Sequence, residues 1–156
     1  MDSGRLAGLT AELKGQLQLL NRVADRLQQR VAAGLDTPGQ LDSVAYQIHN
    51  AYCAAEDLLK LVAHAFENRI GAGGEWHRTL LLRLSQPVEG VRPTFISEET
   101  FTVMNVLRGF RHFVRHGYGA EIEVTQLQVN LQLAQRLPKL LAQDTQVFLR
   151  AFYPDE

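Results

Sequence analysis

The chain has 156 residues, 46% of them hydrophobic, enough for one compact domain with a real core, and no composition break marks a second. Sixteen basic residues against seventeen acidic ones leave a net charge of -1, which excludes a generic polyanion binder; any nucleic-acid affinity must come from a local patch. A single cysteine, Cys53, excludes an internal disulfide and a cysteine-based zinc site, and fits a reducing compartment. Met1 to Gly15 lacks a charged leader followed by an apolar core, and no run approaches the roughly eighteen apolar residues of a membrane span. The expectation is a soluble cytoplasmic protein with no membrane partner.

In chain order, Leu6, Leu9, Leu13, Leu17, Leu20, Val23, Leu27 and Val31 recur at threes and fours and draw one stripe down a long first helix. Gly34 is its expected stop. Thr37-Pro38-Gly39-Gln40 reads as a new start, with Thr as cap, Pro in the first turn and Gln three residues on. The second helix carries Leu41, Val44, Ile48, Tyr52, Leu59, Val62 and Phe66 and is expected to run to about Arg69. Gly71-Ala72-Gly73-Gly74 breaks the pattern, and Trp76, Leu80, Leu81 and Leu84 predict a shorter helix ending before Pro87. The stretch from Gln86 to Ile96 reads as a loop.

Ser97-Glu98-Glu99 opens a fourth helix, with Ser97 as cap and the acids complementing the positive helix start. Its buried stripe is Phe101, Met104, Leu107, Phe110 and Val114, and Gly117 and Gly119 fall where a C-terminus belongs. A fifth helix is predicted from about Glu121, with Pro138 either kinking it or beginning a sixth segment that reaches Phe152. No strand alternation and no internal repeat is present. The expected architecture is a single all-α domain over residues 1–156, an up-and-down bundle of four to five helices.

The densest chemistry lies in Arg108 to Gly119, which holds three arginines, two histidines and a tyrosine. Its apolar residues continue the fourth helix, so the cations sit on an ordered scaffold that can orient a phosphate. At about 100° per residue, Arg108, Arg111 and Arg115 share one side, and His112 stacks one turn before His116. Arg111 and His116 are about 140° apart by that count, yet a long guanidinium stem near a loosening helix end lets both face one phosphate. Arg presents a planar, permanently charged donor fork, and His exchanges protons near neutrality. The two suffice for metal-independent RNA cleavage, with His116 activating the 2′-hydroxyl or protonating the leaving oxygen and Arg111 stabilising the added charge at phosphorus.

Arg111-His112-Phe113-Val114-Arg115-His116 resembles the R-x4-H signature of HEPN-domain ribonucleases, and His116-Gly117-Tyr118 extends it to the R-x4-H-x-Y form of HepT-like toxins. The resemblance implies an all-α bundle with Arg111 and His116 as the catalytic pair and His112 at the polar second position, where asparagine is commonest in the toxins. It also implies a homodimer whose two motifs face each other to form a composite RNA cleft. The implied partner is an MNT-type nucleotidyltransferase antitoxin that transfers AMP from ATP to Tyr118. An adduct there would set negative charge and bulk beside Arg111 and His116, in competition with RNA phosphate. This sequence carries no nucleotidyltransferase signature of its own, and no cofactor is expected.

Each feature has a plainer reading. Arg111 and His116 also suit a solvated basic helix end favoured by the helix dipole, and Tyr118 suits a packing residue with its hydroxyl at the surface. Arg108, His112 and Arg115 are expected as supporting or RNA-binding groups. A metal at His112 and His116 lacks further ligands and is repelled by the flanking arginines, so none is expected. Trp76-His77-Arg78 can line an RNA cleft or, more simply, anchor a short helix. His49, Tyr52, Cys53 and Glu56 share one face of helix two and read as core edge or dimer surface. The alternative function, from another class, is a catalytically silent HEPN-like bundle that binds a nucleotidyltransferase or nucleic acid.

Overall fold

The computed structural model describes residues 1–67, 73–117 and 121–154. It consists of five helices, α1 (Ser3–Ala32), α2 (Pro38–Glu67), α3 (Trp76–Leu84), α4 (Glu98–His116) and α5 (Val124–Arg150), with no strand among the described residues. The predicted all-α bundle is therefore correct in class and in helix order. None of the described helices is long and apolar enough to cross a membrane.

The connections follow from local chemistry. Asp2 caps α1 by accepting the Arg5 amide at 2.8 Å, which starts the helix earlier than its apolar stripe does. At the far end Gly34 takes φ 116°, a backbone conformation that L side chains rarely adopt, and the helix stops there. The predicted capping box then forms: the Gln40 amide donates to Thr37 Oγ1 at 3.2 Å, and Gln40 Oε1 accepts the Thr37 and Asp36 amides at 3.1 and 2.8 Å. The same Gln40 side chain donates to the Ala33 carbonyl at 2.8 Å, so one residue ties the start of α2 to the end of α1. The two helices run antiparallel, as shown by Gln16 bonding the Ala54 carbonyl and Arg5 the Ala65 carbonyl.

Helix α2 is the centre of the bundle and touches all four others. Its buried face, including Val44, Ile48, Tyr52, Ala55, Leu59 and Val62, is continuous with Leu13, Leu20 and Leu27 of α1 and with Leu137, Leu141 and Phe148 of α5. Phe148 meets Phe66 and Phe95 edge-on, at 5.8 and 5.1 Å between ring centres, and closes the core where α2, α5 and the pre-α4 loop converge.

Two sequence expectations change at the edges, and a third is untested. Helix α2 is described only to Glu67; its expected end near Arg69 lies outside the described residues. Helix α5 starts at Val124, not Glu121, because Ile122 packs against the core and Glu123 is extended at φ -82°, ψ 131°. Pro138 sits inside one uninterrupted helix, so no sixth segment begins there. The lost amide bond, worth about 3 kcal/mol in an exposed helix, is offset by burial of Ala134, Leu137 and Leu141 around it.

The loop from Gln86 to Ile96 is organised by a buried arginine. Arg92 donates Nε to Glu67 at 2.7 Å, and its other nitrogens reach the carbonyls of Gln86, Pro93 and Arg83 at 2.9 to 3.1 Å. Its side chain is fully buried, and Arg83 adds a second cation to Glu67 at 2.8 Å. Arg92→Ala would leave a desolvated carboxylate short of its main partner and would strip the side-chain donor from the Gln86 and Pro93 carbonyls. We expect a loss of about 3 to 5 kcal/mol in urea unfolding; a loss under about 1 kcal/mol would show that the loop holds without it.

Candidate functional site

Helix α4 is fixed at its start by the predicted cap, with Ser97 accepting the Thr100 amide at 3.2 Å, and by a buried acid from α5. Asp144 accepts the Thr100 hydroxyl at 2.6 Å and the Ser97 amide at 3.2 Å. Burial pushes this carboxyl above its ordinary range despite those bonds. With Met104, Leu107 and Phe110 buried, rotation of α4 about its axis is also set, and the adjoining stripe of Arg108, Arg111 and Arg115 falls toward α2.

The result is a polar seam between antiparallel α2 and α4. His49 on α2 lies in the field of Arg111 and Arg115, Cys53 beside Arg111, and Tyr52 in the field of Arg108 and Arg111. The order 49, 52–53, 56 on one helix thus runs against 115, 111, 108 on the other. Arg111 is half-buried, and its Nε is enclosed without a hydrogen-bond partner among the described residues. Such a donor costs about 1 to 3 kcal/mol when left unmet, and it is the kind of group an incoming phosphate oxygen satisfies.

The remaining predicted residues take distinct places. Arg108 is half-buried and grips Asn105 Oδ1 on its own helix at 3.0 and 3.3 Å. His112 and His116 are exposed and stack at 4.6 Å between ring centres, as the spacing predicts, and Arg115 is exposed beside them. Arg111 is therefore turned inward at the same helix end where His116 is turned outward. Gly117 ends the helix with its amide on the Phe113 carbonyl at 2.7 Å; a Cβ at Gly117 would lie 2.7 Å from that same oxygen, so the close turn needs glycine. Tyr118, the expected modification site, lies outside the described residues. Among the described residues, no three His, Cys, Asp or Glu side chains group as a metal site.

The sequence reading missed the link beyond the seam. Glu56 is 3% exposed, accepts the Tyr52 hydroxyl at 2.8 Å and the His77 Nδ1 at 2.7 Å, and draws Lys60 to 4.0 Å. Tyr52 is fully buried, and burial and the carboxylate both push its phenol far above the usual range. His77 stacks on Trp76, and the Lys60 ammonium lies 4.4 Å above the tryptophan ring. Trp76 thus anchors α3 to α2, the simpler of its two readings, while Arg78 is exposed. The available signal was a glutamate inside the apolar stripe of α2, four residues after a buried tyrosine.

Cys53 is held as a thiol, because burial pushes its pKa up more strongly than Arg111 pulls it down. His49 is shifted the other way: partial burial, then Arg111 and Arg115, lower its pKa, with Glu56 opposing.

A five-helix bundle whose fourth helix ends on Arg-x4-His, with Arg108 and Arg111 half-buried and Arg115 exposed, has the all-α form that the HEPN resemblance implies. A family model described as HepT-like protein matches residues 43–152, and the chain belongs to that family. The match takes in α2 from its first turns through the end of α5 and leaves α1 outside. Neither the curated proteins nor the solved structures compared with the chain gave a match.

The His49 environment predicts a pH dependence of stability. Because its pKa is lower in the folded chain than the ordinary 6.5, the unfolded chain binds more protons below that pH, and stability falls on acidification through 6.5 toward the folded value. His49→Gln should flatten this part of the stability-against-pH curve measured by denaturant titration. An unchanged slope would mean that His49 titrates alike in both states.

Proposed function

We propose that the chain is the ribonuclease toxin of a HEPN–MNT toxin-antitoxin pair. The observation that carries this reading is the half-buried Arg111 with an unpartnered Nε, on an Arg-x4-His helix end, in a member of the HepT-like family. Arg111 binds the scissile phosphate and stabilises the charge that grows on its oxygens. His116, exposed at the last turn, exchanges a proton with the reacting hydroxyl or leaving oxygen. Arg108, His112 and Arg115 extend the cationic track along the strand. The reaction needs no metal or cofactor, since the base, acid and charge stabiliser are all side chains.

The unit that acts is a homodimer with two α4 ends facing one RNA strand; one such end offers too small a surface to hold a strand alone. Control comes from an MNT-type nucleotidyltransferase that adds AMP to Tyr118. The adduct's phosphate occupies the Arg111 fork and its bulk covers the helix end, so RNA is excluded by the same electrostatics that attract it.

Induced expression of the wild type should arrest growth, while Arg111→Ala and His116→Ala should each lower RNA cleavage by about 10² to 10⁴-fold and relieve the arrest. A harmless wild type, or a double variant as toxic as the wild type, overturns the ribonuclease reading in favour of a silent binding module. Co-expression with the partner nucleotidyltransferase should add the mass of one or more AMP groups to the Tyr118 peptide. An unmodified peptide from a neutralised toxin rejects that mode of control.

A further inference from the structure

A groove of about 630 Å³ opens between α1 and α5, away from the Arg-x4-His motif. Thr145 on its α5 side follows Asp144, which holds the first turn of α4. From there α4 runs 19 residues, about 28 Å at 1.5 Å each, before it ends on His116. The groove and the motif are therefore separate places. One hydroxyl of the groove wall is unmet: Thr145 is 2% exposed, and its Oγ1 has no hydrogen bond among the described residues. A helical threonine can return its hydroxyl to the carbonyl four residues back, as Thr10 does to Leu6 at 2.8 Å and Thr102 to Glu98 at 3.1 Å. Thr145 makes no such bond, so a spare buried donor lies in the wall of a cavity, and such a group calls for a partner.

The surroundings carry charge of one sign. Lys14 from α1 and Arg150 from α5 both line the groove, and among the described residues neither forms an ion pair and no acid lines it. Tyr153 also lines it, with its hydroxyl 3.4 Å from that of Thr10. That is a long contact for two hydroxyls, and the Thr10 proton already goes to Leu6, so the Tyr153 proton is free to turn to a ligand. Leu17 and Leu149 supply an apolar wall beside these groups.

We propose that this groove binds a small organic phosphate, with the phosphate between Lys14 and Arg150 and the body of the ligand against Leu17 and Leu149. Two cations match the nearly double negative charge of a phosphomonoester at neutral pH. Its three terminal oxygens accept from the ammonium, the guanidinium and the Thr145 and Tyr153 hydroxyls. A carboxylate would bring about half the charge and one oxygen fewer. The volume falls among small-molecule sites of about 300 to 1,000 Å³ and far exceeds a bare phosphate, so the ligand carries a body of about nucleoside size. This site goes beyond the ribonuclease reading and does not depend on it: α1, which supplies Lys14, lies outside the stretch that the family model matches. Helix α1 packs only on α2 and α5 among the described helices. A ligand that bridges Lys14 and Arg150 therefore ties α1 down, and its binding is read as added stability.

The test follows thermal unfolding of the purified full chain at low ionic strength, with 5′-AMP, phenyl phosphate, inorganic phosphate or adenosine as probes. At least one of the two organic phosphates should raise the midpoint saturably, inorganic phosphate should need about tenfold more, and adenosine should do nothing. Lys14→Gln combined with Arg150→Gln should weaken the response by about tenfold or more; both side chains are exposed, so the variant keeps its core. Arg111→Gln should leave the response unchanged, which separates this groove from the motif. Thr145→Val should also weaken binding, yet leave the unliganded chain as stable as the wild type or more so, because it removes an unmet donor without changing shape. No response to either organic phosphate, an equal response to adenosine, or a response lost in Arg111→Gln and kept in the Lys14 and Arg150 variant overturns the site. A Thr145→Val chain that is less stable without ligand overturns it too, since the hydroxyl would then already have a partner.

Discussion

The constraint on which this structure turns is the desolvation of Arg111. A guanidinium has five donors and no way to shed its charge, so half-burying one against a neighbouring helix demands acceptors. The α2 face opposite offers a thiol, an imidazole, a phenol and one carboxylate. The carboxylate, Glu56, is already held by Tyr52 and His77 one helical turn away. Arg111 is left with an enclosed Nε that nothing among the described residues satisfies. Full ion pairing would have made the seam a stabilising structural contact; incomplete pairing makes it a place where an anion gains more than it would at the surface.

The rest of the bundle serves to hold that mismatch in place. Asp144 and Ser97 fix where α4 begins, the Met104, Leu107 and Phe110 stripe fixes its rotation, and Gly117 lets it end within one tight turn. On the other side, Gln40 fixes the start of α2, so the turns carrying His49 and Cys53 arrive opposite Arg115 and Arg111. The Tyr52–Glu56–His77 link then braces α3 against α2. A loss of any of these would move a charged group relative to its neighbours without touching the motif itself.

Much of this was legible from residue order alone. Capping at Thr37 and Ser97, the stop at Gly34, and the helical order follow from local rules, because the interactions that decide them span four residues or fewer. The R-x4-H motif was legible for the same reason, as was the stacking of His112 on His116. What stayed hidden needs the register between helices. His49, Tyr52, Cys53 and Glu56 were visible as one face of α2, but only the antiparallel packing against α4 brings that face to the arginines. The partnership of Asp144 with Thr100 spans 44 residues, and that of Glu56 with His77 spans 21. Continuity of α5 through Pro138 was hidden too, since burial on both sides outweighs a local rule.

On this account, a helical domain of the HepT-like family cleaves RNA with side chains alone, using an under-paired arginine as its phosphate anchor. The most direct test is the chemistry of the cut ends. RNA treated with the purified chain in excess chelator should yield fragments ending in 2′,3′-cyclic phosphate and beginning with 5′-hydroxyl, as read by mass spectrometry. Fragments with 5′-phosphate ends, or cleavage that stops when divalent ions are removed, would contradict it.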